Sequence, residues 1–152
     1  MLSASPKTRK TGGPARVTRR RLADADNAVL TVVGGPSTFR REPCPGCPWR
    51  IDQTGRFPAE AFRLSAPSAY DGAFALFACH EAGPAKPVIC AGFLLRNSRN
   101  NILARLRGLS GGPDCATSVE LYASYRAMAI ANGVDPDDPI LAPCRADDEF
   151  PR

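Results

Sequence analysis

The chain has 152 residues, 43% of them hydrophobic, and no apolar run near the ~20 residues that a membrane-spanning helix needs, so no membrane partner is expected. Fifteen prolines and thirteen glycines argue against long regular elements. The net charge of +5 is uneven: Lys7, Arg9, Lys10, Arg16, Arg19, Arg20 and Arg21 precede any acid, and the other 13 basic residues face 15 acidic ones.

Residues 1 to about 25 read as a disordered basic arm, because Ser, Pro, Gly and Arg offer little to bury. No apolar segment with a small-residue cleavage site follows these charges, which favours a cytoplasmic protein. The domain proper is expected over residues 26–134. Its first element, AVLTVV (28–33), predicts a strand closed by Gly34, Gly35 and Pro36. CPGCPWR (44–50) predicts a loop, since Pro45 and Pro48 suit neither a helix interior nor a central strand.

RFPAEAFRLSA (56–66) predicts a short helix with Pro58 at its first position and Phe57, Phe62 and Leu64 turned to the core. AFALFACH (73–80) and KPVICAGFLLRNS (86–98) are apolar runs whose periodicity does not separate strand from helix. SRNNILARLRGL (98–109) predicts a helix capped by Ser98, with Ile102, Leu103, Leu106 and Leu109 on one face. For the last helix, Thr117 and Glu120 predict a capping box, and Asn132-Gly133 an end. Leu121, Tyr125 and Met128 share its face and read as core. Residues 135–152 predict an acidic, proline-containing tail.

The cysteines carry the chemistry. In a reducing compartment the six are better read as thiols or metal ligands than as three disulfides. Cys44 and Cys47 form a C-x2-C knuckle, whose turn lets both sulfurs face one centre. A second pair, Cys90 with either Cys79 or the chain's only histidine, His80, completes the four donors of tetrahedral zinc. Adjacent residues on a strand point to opposite faces. One of Cys79 and His80 is therefore expected as a ligand, with the other supporting a bound thiolate. An iron–sulfur cluster is the alternative cofactor, held by Cys44, Cys47, Cys79 and Cys90 with His80 a bystander. A redox C-x2-C pair and simple buried thiols are the other uses of such residues. Cys115 and Cys144 stand apart from the set.

The succession CPGCPWR, FACH and CAGFL, within residues 42–107, resembles a family of small bacterial and phage proteins of unknown function with the pattern C-x-x-C-P-W-R, F-x-C-H and C-A-G-x-L. The motif residues are Cys44, Cys47, Pro48, Trp49, Arg50, Phe77, Cys79, His80, Cys90, Ala91, Gly92 and Leu94. The resemblance implies that these cysteines and His80 act as one site, and it names no activity.

Two features suggest a partner. Trp49 and Arg50 directly follow the knuckle, where an indole can stack on a base and a guanidinium can pair with a phosphate. Trp49 as packing and Arg50 as partner of an acid such as Asp52 is the plainer reading. The basic arm (Lys7, Arg9, Lys10, Arg16, Arg19, Arg20, Arg21) suits salt-sensitive DNA or RNA binding, or acts as a solubilising tail. No nucleotide-binding glycine motif or separate catalytic Cys-His or Ser-His-Asp set is present. The expectation is a small α+β single domain organised around a Cys/His metal site, zinc more than iron–sulfur, serving as an adaptor or regulatory protein and not as an enzyme. A phage or mobile-element protein that grips a host protein is a further class.

Overall fold

The computed structural model describes residues 15–35, 37–83 and 85–146. Its only sheet among them is a two-stranded antiparallel ribbon, β1 (Arg16–Leu22) against β2 (Ala28–Val33). The register runs from Arg16 opposite Val33 to Leu22 opposite Ala28, with a bulge between Val17 and Arg19. The connecting loop is tied by Asp24, whose carboxylate accepts the Asn27 backbone N–H at 2.7 Å and the Asp26 N–H at 2.9 Å.

β2 is the predicted strand. β1 corrects the expectation of disorder to residue 25, at least over Arg16–Leu22. Arginine runs suggest disorder because they bury little, yet one face of a two-stranded ribbon stays in water, where charge costs nothing. Arg16, Arg19 and Arg20 are exposed. Arg21 is half-buried and donates to the Leu64 carbonyl at 3.0 Å, fastening the ribbon to the body. Lys7, Arg9 and Lys10 lie outside the described residues.

The body is built around Trp49, which is fully buried. Phe77 and Tyr125 stand edge-on to its ring at 6.1 and 5.9 Å. Hiding an indole of about 200 Å² contributes roughly 5 kcal/mol before entropy is charged against it. The backbone either side is clamped: Tyr122 N–H donates to Trp49 O at 3.0 Å, and Ile51 N–H to Glu120 O at 3.2 Å. Trp49 is therefore a packing residue, and the expectation that it stacks on a base is corrected.

Four short helices surround this centre among the described residues: α1 (Ala59–Ser65), α2 (Ala91–Asn97), α3 (Ile102–Leu106) and α4 (Tyr125–Ala131). α1 is found where a helix was expected, with Pro58 one place before it as the extended N-cap and not at its first position, and it buries Phe62. α2 crosses Trp49 at Gly92, where a Cβ would stand 2.6 Å from Trp49 Cβ. Only glycine admits so close an approach.

Two predicted caps move. α3 is capped by Asn101, whose side chain accepts the Ala104 N–H at 2.9 Å, while Ser98 donates to Leu94 O at the end of α2. α3 also turns Ile102 and Leu106 outward, so the predicted apolar face is not its core face; Ala104 and the following Leu109 are buried. α4 is capped by Ser124, which accepts the Ala127 N–H at 3.0 Å. Thr117 instead closes a tight local turn on Val119. A hydroxyl that can bond its own neighbours in a turn competes with a capping role.

The expected C-terminal tail is, over 135–146, part of the body. Pro139–Leu141 form a single 3-10 turn, Leu141 is fully buried, and Tyr70 Oη donates to Ile140 O at 2.5 Å. Arg145 makes a two-pronged pair with Asp71, at 2.9 and 2.8 Å. The charge of DPDDP hid two apolar residues that reach the core. The architecture is an α+β single domain, and no described helix is long and apolar enough to cross a membrane.

Gly92→Ala is expected to cost about 1–3 kcal/mol through overpacking against Trp49, seen as a lower melting temperature. Because Trp49 is the only tryptophan, intrinsic emission should be blue-shifted and should not be quenched by added single-stranded oligonucleotide. Quenching with a red shift would place the indole at the surface.

Candidate metal centre

Three segments converge beside Trp49. The first is the knuckle: Cys47 N–H donates to Cys44 O at 3.0 Å, closing the turn through Pro45 and Gly46. Proline at the second position of this turn fixes its φ and gives up no needed donor. The Arg56 guanidinium lies on Gly46, where a Cβ would sit 2.7 Å from Arg56 Cζ.

The second and third segments flank the loop 80–88 and meet in an antiparallel bridge, Ala78 to Ile89. Cys79 N–H donates to Val88 O at 2.7 Å and Cys90 N–H to Phe77 O at 2.9 Å. Alternation along the two extended stretches puts Cys79 and Cys90 on one face, and the chain turns at His80. Burial agrees: Cys79 and Cys90 are buried, and His80 is exposed. Cys90 also begins α2, so the helix seated on Trp49 fixes this sulfur against the knuckle.

All four sulfurs are buried, and they meet in pairs. Cys47 Sγ lies 3.6 Å from Cys90 Sγ, and Cys79 neighbours Cys44, but no three of the four sulfurs lie within 4.8 Å of one another. A parallel bridge from Phe39 to Ile89 brings up Arg40, whose Nε donates to Cys79 Sγ at 3.1 Å. Sequence reasoning missed Arg40. No motif marks it, and its position depends on a backbone pairing 50 residues long in sequence (Phe39 with Ile89).

The electrostatics are those of crowded thiols. Burial, then the neighbouring Cys79, Cys47 and Glu81, push the Cys44 thiol up to about 12. The Cys47–Cys90 pair surrenders one proton more readily and holds the other: their mutual hydrogen bond pulls Cys47 down and drives Cys90 well up. Backbone N–H groups of Trp49 and Arg50 favour the Cys47 thiolate, and those of Phe93 and Gly92 the Cys90 thiolate.

His80 and Glu81 stand outside this buried set. One ligand atom each from Cys44, His80 and Glu81 lie within 4.8 Å of one another, the two latter side chains exposed. The His80 ring rests edge-on against Phe57 at 5.0 Å. Its proton affinity is lowered, first by burial of part of the ring, with Arg56 and Arg40 acting the same way and Glu81 against them. Glu81 Oε1 accepts the Gly46 N–H at 3.2 Å, which ties it to the knuckle.

The remaining candidates serve other ends. Arg50 is held by Asp52 through bonds of 2.8 and 2.6 Å, so its guanidinium already has an acid partner. Cys115 Sγ donates to Arg40 O at 3.3 Å, bracing that segment from behind. Cys144 is buried at the C-terminal turn, and burial raises its thiol to about 11. A groove of about 570 Å³ runs between β2 and α1, past Phe57 and Phe77, and reaches Cys79 and His80.

No curated protein and no solved structure matches the chain. A family model matches residues 39–145, which takes in the knuckle, the Ala78–Ile89 backbone bridge, all four described helices and the C-terminal turn, and leaves the β1–β2 ribbon outside. The chain belongs to this family, a family of unknown function (DUF6283).

Proposed function

We propose that this protein is a zinc-binding module, with Cys44, Cys47, Cys79 and Cys90 as the ligands and binding, not catalysis, as its work. The observation that carries the reading is the pair of sulfurs 3.6 Å apart on Cys47 and Cys90, each facing backbone N–H donors. Two sulfurs at the ~2.3 Å zinc–sulfur distance on a tetrahedron stand about 3.8 Å apart. The donor chemistry fits, with polar hydrogens turned to sulfur and Arg40 on Cys79, an outer contact of the sort that orients and tunes a metal ligand, while Cys44 and Cys79 would have to draw in on the Cys47–Cys90 pair to close the tetrahedron. Zinc there supplies positive charge to a buried thiol cluster and cross-links three segments that share little regular structure.

An iron–sulfur centre is the second reading, favoured by the pairing of Cys44 with Cys79 and Cys47 with Cys90, which suits two irons each holding two cysteines. Exposed Arg16, Arg19 and Arg20 on β1 support a nucleic-acid contact at the ribbon as an accessory role. Deleting residues 1–21 would strip β2 of its partner, so the arginines are better tested by substitution. Replacing all three with Gln should weaken salt-sensitive DNA or RNA retention and leave the melting temperature unchanged.

Elemental analysis of anaerobically purified protein should give tightly held zinc and no visible band. Iron with acid-labile sulfide and a brown colour would install the second reading. Cys44→Ser and Cys90→Ser should each lose the tight metal and melt at lower temperature. Arg40→Met should keep the stoichiometry and weaken zinc about 10–100-fold, read by competition with a chromophoric chelator. Because the Cys44 proton, held up to about 12 in the free protein, must leave on binding, affinity falls as pH falls. The expected loss is at least about tenfold per unit between roughly pH 8 and 6.

A further inference from the structure

The four buried sulfurs leave His80 and Glu81 unexplained. Both are exposed, yet neither is loose: Phe57 holds the imidazole at its edge, and the Gly46 N–H holds the carboxylate. Their ligand atoms and Cys44 Sγ lie within 4.8 Å of one another, close enough for one ion to touch all three. Cys44 is the member that this trio shares with the buried set.

We infer that Cys44, His80 and Glu81 form a second zinc position at the solvent rim of the four-sulfur centre, with the Cys44 thiolate bridging the two ions. The donor chemistry differs from that of the buried set. One sulfur, one imidazole and one carboxylate are three protein ligands of borderline softness. Such a trio leaves a coordination place open, here towards solvent, whereas four thiolates close a sphere.

Charge supports the second ion. Four thiolates and Glu81 around a single dication carry a marked negative excess in a largely buried place, which is costly to hold. Arg40 on Cys79 and Arg56 on Gly46 offset only part of it. A second dication at the rim removes the rest. It also gives the exposed His80 and Glu81 a task that the buried centre does not, and it takes water or a small anion in its open place. The inference rests on the four-sulfur reading, because Cys44 belongs to both sets.

The test is a zinc titration of the full chain, stripped of metal and reduced, against a chromophoric chelator, followed by zinc analysis. Wild type should take two zinc ions, one tight and one weaker by tenfold or more. Glu81→Gln keeps the acceptor for Gly46, and His80→Phe keeps the ring on Phe57, so both should fold. Each should lose the weaker ion and retain the tight one. Cys47→Ser and Cys90→Ser should lose the tight ion. If wild type saturates at one zinc and both rim variants give superimposable curves, the second position is wrong and the four-sulfur centre stands. If one zinc is bound, lost in the rim variants and kept in Cys47→Ser and Cys90→Ser, the four-sulfur reading fails and the bridged centre fails with it.

Discussion

The contact between Trp49 and Gly92 sets the geometry of nearly everything else. A helix can approach an indole this closely only where it lacks a side chain, and α2 does so at its second residue. That one contact fixes where α2 begins. Its first turn therefore presents Cys90 to Cys47, two residues before Trp49 in the knuckle. The aromatic core and the sulfur cluster are thus one construction, and a shift in either would be felt in the other. Packing of this density has few intermediate positions.

Regular structure contributes little to holding this body together. The helices are five to seven residues long, below the length at which a helix persists unaided. What joins the segments is single bridges, side-chain caps and buried polar groups that reach across the chain. Tyr125, for instance, donates to Phe62 O at 2.6 Å across 63 residues of chain. The sulfurs take part in the same cross-chain bonding, with backbone donors aimed at Cys47 and Cys90 and the Arg40 guanidinium at Cys79.

Much of this was legible in the sequence where a local rule governed the outcome. The knuckle loop follows from Pro45 and Pro48, the start of α1 from Pro58, and β2 from its branched residues. Of the cysteines grouped by context, Cys47 and Cys90 do meet, at 3.6 Å. What stayed hidden depended on distant partners. Arg40 reaches Cys79 only because Phe39 pairs with Ile89. Asn101 outcompetes Ser98 as a cap because Ser98 accepts the Gly111 N–H at 2.7 Å and donates to Leu94. Charge misled twice, at Arg16–Leu22 and at 135–146, where a few apolar contacts outweigh many solvated charges.

The ribbon has a consequence for how molecules of this protein meet one another. A two-stranded sheet has an unpaired margin on each side, and such margins recruit further strands from neighbouring chains. β1 carries Arg16, Arg19, Arg20 and Arg21 along one margin, and its bulge at Val17–Arg19 breaks the flat run of hydrogen-bonding groups. Two copies brought margin to margin would set rows of like charge against each other. The arginines that suggested an unfolded arm thus oppose, on this strand, edge-to-edge pairing of two copies.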